Sequence, residues 1–108
     1  MIIRTWRARA AADRAHLYPR HFADVVLPRL DALPGFAGAY LLRRDLGGEV
    51  EFVVHTQWDS RDAIARFAGP TPDVAVVDPA AEAMLSGYDA TVSHYEVLLS
   101  PARRHAAS

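Results

Sequence analysis

The sequence predicts an α+β fold: a four-stranded antiparallel sheet with helices laid on one face, its elements in the order strand, helix, two strands, helix, strand. Three observations carry this. Gly47-Gly48 parts two β-rich runs, Gly35–Asp45 and Glu49–Ser60, as a tight hairpin turn does. A run with helical spacing, from about Ala11 to Leu33, precedes that hairpin. Alternating runs open and close the chain, at 2–9 and 90–99.

In the first strand, IIRTWRAR, alternation sets Ile2, Arg4 and Trp6 on one side and Ile3, Thr5 and Arg7 on the other. In the helical run that follows, Tyr18, Phe22, Val25, Val26 and Leu33 share one stripe. Pro19 and Pro28 fall inside it, and each removes a backbone donor, which predicts a kink or break near one of them. Pro34-Gly35 ends the helix.

With Gly47-Gly48 as the turn, the hairpin register pairs Arg44 with Glu51, Leu42 with Val53, Tyr40 with His55 and Gly38 with Gln57 on one face. On the other it pairs Arg43 with Phe52, Leu41 with Val54, Ala39 with Thr56 and Ala37 with Trp58. Both faces carry apolar residues, so both are expected to be covered, one by helices and the other by a second copy of the chain.

Asp59 or Ser60 is placed to cap a second helix, about 61–67, which Gly69-Pro70 ends. Residues 74–77 fit a short strand or a loop, and Pro79 suits the first turn of a short helix through Leu85. ATVSHYEVLL, 90–99, reads as the last strand. Residues 1–99 then form a single domain, and PARRHAAS, 100–108, is expected to be a disordered tail. The βαββαβ order is that of a ferredoxin-like layer with an open sheet face, which favours a homodimer paired sheet to sheet.

Composition narrows the function. The 108 residues carry a formal net charge of −1 and no basic cluster, so no nucleic-acid partner is expected. Cysteine is absent, which removes disulfides and thiolate chemistry. Every basic residue other than histidine is arginine, and asparagine is missing. No signal peptide and no bilayer-spanning run is visible, so the expectation is a cytoplasmic protein without a membrane partner. His16 and His21 are five apart, off the spacing that sets two ligands on one helical face, and no metal site is expected.

The runs PGFAGAYLLRR and EFVVHTQWDSRDAIARFAG, with the closing SHYEVL, resemble the antibiotic biosynthesis monooxygenase-like family of dimeric α+β barrels over residues 2–99. That resemblance implies a homodimer with a pocket between sheet and helices in each subunit. It also implies cofactor-independent monooxygenation of a small aromatic or polyketide-like substrate, or a non-catalytic accessory barrel with the same pocket. Related barrels degrade haem with an asparagine, a strand-end tryptophan and an axial histidine from the second-helix region. Here Trp58 matches the tryptophan, but there is no asparagine and no histidine between 56 and 93, so haem degradation is not expected, nor any cofactor.

An oxygenase without a cofactor needs aromatic walls, one or two polar groups and a base. The candidate catalytic residues are His21, Trp58 and His94, and the candidate substrate-binding residues are Tyr18, Phe22, Arg43 and Phe52. Each has a bland reading beside the functional one. Trp58 serves equally as a core anchor, Tyr18 as core, His21 as a solvated residue, and Arg43, near the turn, as a side chain that reaches water. On the last strand, His94 and Tyr95 point opposite ways, so one of them at most reaches the pocket.

Overall fold

A computed structural model describes residues 1–101; residues 102–108, and with them most of the expected tail, lie outside the described residues. The first strand, β1, spans Ile2–Ala11, and its inward positions Ile2, Arg4, Trp6, Ala8 and Ala10 are buried while the alternate ones are not. Such alternation over a whole strand means one face packs on a core, and it runs two residues further than the sequence suggests.

The expected single helix is a composite. A 3₁₀ turn at Ala12–Arg14 leads to α1, Leu17–His21, then a π-turn at Phe22–Val26, then α2, Leu27–Asp31. Proline explains the irregularity. Pro28 has no N–H to return to the carbonyl four residues back, and the Leu27 N–H bonds the Phe22 carbonyl, five residues back, widening the turn. The wider turn rotates the stripe. Leu30 enters the core beside Tyr18 and Phe22, while Val25 and Leu33, expected there, are only half-buried.

Strands β2, Phe36–Asp45, and β3, Glu49–Trp58, form the expected hairpin, closed by the Leu46 N–H on the Glu49 carbonyl at 2.8 Å. Of the two turn glycines only Gly47 has a positive φ, 82°, as in the two-residue turn with glycine first. Seven of the eight expected pairs hold, from Arg44 opposite Glu51 to Gly38 opposite Gln57. The eighth differs: Phe36, not Ala37, faces Trp58, because a bulge slips the ladder between Phe36 and Gly38.

Helix α3, Arg61–Ala68, is capped by Ser60, whose hydroxyl accepts the Ala63 N–H at 3.2 Å. Residues 74–77 are loop, joined to Thr91 by a single bridge at Val74. Asp78 caps α4, Pro79–Met84. Of the expected last strand, 90–99, only β5, Ser93–Glu96, is extended ladder, and a short β4, Gly87–Tyr88, precedes it; both are antiparallel to β1.

The sheet order is β2-β3-β1-β4, with β5 also on β1, so the molecule is the α+β, ferredoxin-like layer the sequence predicts. Trp58, Phe52, Ile64 and Val50 are fully buried between sheet and helices. The other sheet face is open, and on it Tyr40 is 60%, Leu42 48% and Tyr95 58% exposed.

Candidate functional site

A cavity of about 130 Å³ lies between the sheet and the composite helix. Its floor is strand: Arg4 and Trp6 from β1, Val54 and Thr56 from β3. Tyr18, Phe22, Val26 and Leu30 form one wall and Phe67 of α3 another. Val76, Val77, Asp78 and Ala81 roof it, and the exposed Arg29 stands at its rim. The lining is apolar and aromatic apart from a few polar groups, the usual make-up of a small-molecule site.

The roof is held by buried polar side chains from the floor and wall. Arg4 is 5% exposed, and its guanidinium donates to the Pro72 carbonyl, to the Val74 carbonyl at 3.1 Å and to His94 Nε2 at 3.0 Å. It also lies over the Phe67 ring, 5.5 Å from the centroid. Arginine can only donate, so His94 Nε2 must be its bare nitrogen, and the proton sits on Nδ1, which faces Asp73 Oδ1 at 3.4 Å. Burial and then the Arg4 charge hold the His94 imidazole below its ordinary value, against the pull of Asp73, which keeps it neutral. Burial lowers the Arg4 guanidinium as well, offset in part by Asp73, and it stays charged.

On the opposite side, His21 Nε2 lies 2.9 Å from Asp78 Oδ2, and the Ala81 N–H donates to Asp78 Oδ1 at 2.7 Å. Burial works to raise the Asp78 carboxyl, but the Ala81 N–H, His21 and Arg29 outweigh it and hold it below its ordinary range. Asp78 is therefore ionised, and His21 Nε2 carries the proton it donates. Tyr18, three residues before His21 on α1, is buried on the same side, and its phenol is raised well above its ordinary value by burial and then by the Asp78 charge. It remains a hydroxyl at neutral pH.

The cavity brings together some of the residues expected from sequence. Tyr18 and Phe22 line it. His21 and His94 stand one layer back, each bonded to a lining residue, Asp78 and Arg4 respectively. His21 is 9% exposed, so the solvated reading is corrected. His94 points inward and Tyr95 outward.

Three further residues, besides His21 and His94, fall outside the lining. Trp58 is wholly buried, stacked on Phe67 and set edge-on to Phe36, with its Nε1–H on the Thr56 hydroxyl at 2.8 Å. Phe52 lies beneath the Tyr18 ring, 5.6 Å between centroids. Arg43 is exposed and pairs with Asp45 at 2.9 Å near the hairpin turn. That position is at the opposite end of the hairpin from Thr56, where its partners are Asp45 and water.

Sequence reasoning missed Arg4 and Asp78. Arg4 was visible as a charge between Ile2 and Trp6 on an inward face, where an unpaired charge is not tolerated. Asp78 was hidden in Asp78-Pro79, which reads as an ordinary helix start. Among the described residues, no group of three histidine, cysteine, aspartate or glutamate side chains is placed to hold a metal ion. No described helix is long and apolar enough to cross a membrane.

A ferredoxin-like layer with an aromatic cavity between sheet and helices defines a class of small α+β enzymes and binders. The chain belongs to the antibiotic biosynthesis monooxygenase family, whose sequence model matches residues 1–70. Among solved structures it is similar to MhuD, a haem degrader from Mycobacterium tuberculosis solved with two haems in its active site. The identity is 26%, the TM-score 0.63, and the match covers 94% of this chain and 100% of that one. It is similar in fold to a candidate antibiotic biosynthesis monooxygenase from Bacillus cereus, at 18% identity and TM-score 0.65, over 94% of this chain and 97% of that one. The fold is shared also with SnoaB, a cofactor-independent oxygenase from Streptomyces nogalater, at 18% identity and TM-score 0.53, covering 92% and 95%. No curated protein matches the sequence.

Proposed function

We propose that this member of the family is a cofactor-independent monooxygenase acting on a small aromatic substrate, with the cavity beneath Tyr18 as its active site. The observation that carries the proposal is an apolar cavity with one ionised carboxylate, Asp78, backed by a buried histidine, His21. Without a cofactor, the substrate must be the electron donor and O₂ the oxidant. A substrate bearing two removable hydrogens takes one oxygen atom as a new carbonyl, and the other leaves as water with those hydrogens.

Deprotonation comes first, because an anion gives up an electron to O₂ more readily than a neutral phenol or enol. Asp78 is the acceptor at the cavity wall, and His21 holds it in place and spreads the charge. A carboxylate held low is a weak base, so only substrates with an acidic hydroxyl or an enolisable carbon are served. Dry aromatic walls keep water from the reactive anion.

Haem does not fit these residues. No histidine lines the cavity, and the two behind it are committed: His21 Nε2 to Asp78 and His94 Nε2 to Arg4. No step is assigned to haem.

The functional unit is proposed to be a homodimer through the open sheet face, supported by exposed Tyr40, Leu42 and Tyr95 on an otherwise solvated surface. Sedimentation as a monomer at micromolar concentration would remove that element. The activity is tested by oxygen uptake with acidic phenols and enols, in the presence of a metal chelator. Uptake that the wild type catalyses and Asp78→Asn lowers at least tenfold supports the proposal; no uptake with any of them contradicts it.

A further inference from the structure

The chemistry of the cavity narrows its ligand. We infer that the site takes a single-ring phenol, its ring in the aromatic cavity and its hydroxyl donating to Asp78 while accepting from Tyr18. This rests on the cavity being the functional site, and it names the substrate class of that site.

Size comes first. The cavity measures about 130 Å³. An engineered apolar cavity of about 150 Å³ holds benzene, so one six-membered ring fills the space here and a second fused ring has to project from its mouth. Both rims are fixed: Arg4 ties the roof to the floor through the Pro72 and Val74 carbonyls, and His21 ties it to the wall through Asp78. Widening the space for a second ring therefore means breaking buried hydrogen bonds.

Polarity comes second. Asp78 uses one oxygen on the Ala81 N–H and the other on His21, which takes two of about four acceptor positions, so room remains for a donor from the cavity. The Tyr18 hydroxyl has no hydrogen-bond partner among the described residues, yet no fully buried side-chain oxygen there lacks one, so this hydroxyl opens onto the cavity. It lines the same cavity as Asp78. Arg4, by contrast, spends three of its five N–H donors on two carbonyls and His94, so its part is chiefly to hold the roof. One donor and one acceptor lining the same, largely apolar chamber match a neutral hydroxyl that gives one hydrogen bond and takes another.

The test is equilibrium binding followed by NMR, with phenol, toluene and 1-naphthol as ligands. Wild-type protein should bind phenol with shifts at Val54, Phe67 and Val77, toluene more weakly, and 1-naphthol at least tenfold more weakly than phenol. Asp78→Asn keeps the Ala81 cap, since asparagine caps as well as aspartate. It should weaken phenol at least tenfold and leave toluene unchanged; Tyr18→Phe should weaken phenol severalfold, again sparing toluene. Equal binding of 1-naphthol overturns the size limit. Phenol affinity untouched by Asp78→Asn, or toluene falling in parallel with phenol, overturns the hydroxyl contact. Phenol binding as described without any oxygen uptake supports this inference while removing the oxygenase reading.

Discussion

The floor and the roof of the cavity are built by different means. The floor is ladder: β1 pairs with β3 over ten positions and β3 with β2 along its whole length, so backbone bonds and alternating side chains fix every residue. The roof, from Thr71 to Val92, has little ladder. Two backbone bonds tie its strands, the Ala75 N–H to the Ala90 carbonyl and the Val92 N–H to the Asp73 carbonyl, both at 2.9 Å. The rest of its attachment is the short β4 ladder to β1, with the Ser86 N–H on the Arg9 carbonyl at 2.8 Å and the Asp89 N–H on the Arg7 carbonyl at 2.9 Å, and side chains far away in sequence: Arg4 on Pro72 and Val74, His21 on Asp78, and the Trp6 Nε1–H on the Asp89 carbonyl at 2.7 Å. A floor so made opens only with the whole domain, whereas a roof pinned by a few polar contacts opens locally. Binding sites gain from that division, because a roof that yields locally lets a ligand in while the floor keeps its shape.

The largest effect should come from the floor. Trp58→Ala removes a wholly buried ring between Phe36 and Phe67 and leaves the Thr56 hydroxyl without its donor, for a loss of about 3–5 kcal/mol by denaturant unfolding. An active-site tryptophan without a packing role would instead cost activity and little stability. The roof should respond less. Arg4→Met keeps the apolar stem but frees the carbonyls of Pro72 and Val74, which regain water at the surface, so the loss is about 1–3 kcal/mol. Its mark should be local: proteolytic cleavage within 70–78 before the sheet unfolds.

Much of the floor was legible in the sequence because alternation and a Gly-Gly turn are sufficient to set a hairpin register, and seven of its eight pairs hold. The miss at Ala37 came from a bulge, which leaves no trace but Gly38. The roof was not legible for a physical reason. Its contacts are single polar side chains meeting backbone carbonyls some seventy residues away, as Arg4 meets Val74, and no periodicity records such a pairing. Arg43 shows the reverse error: sharing a face with Trp58 did not bring it to the cavity, because the cavity lies at the other end of that face.

A smaller effect is set by pH. The His94 imidazole is held below its unfolded value by burial and by Arg4. The unfolded chain therefore binds the proton more readily, so stability is full above about pH 6.5 and falls as pH drops below it toward the folded value. Protonation also removes the acceptor that Arg4 uses, and the roof should loosen in the same window. Titration of unfolding free energy against pH should show this slope in the wild type and lose it in His94→Gln. The charges around the imidazole that shape it are Arg4, Asp73 and Arg61. The smallest effect belongs to Arg43→Ala. Its pair with Asp45 is exposed, so both stability and ligand affinity should change by less than about 0.5 kcal/mol.

The division between floor and roof, and the place of the ligand between them, meet in one measurement: residue-resolved hydrogen exchange with and without saturating phenol. In the free protein, the amides of Ala75 and Val92 should exchange well before those of Val50 to Thr56. With phenol bound, protection should rise at Ala75 and Val92, where the roof is held, and stay unchanged along the β1–β3 ladder. Roof and floor amides exchanging together, or phenol protecting the open face around Tyr40 and Val53 instead, would contradict the account.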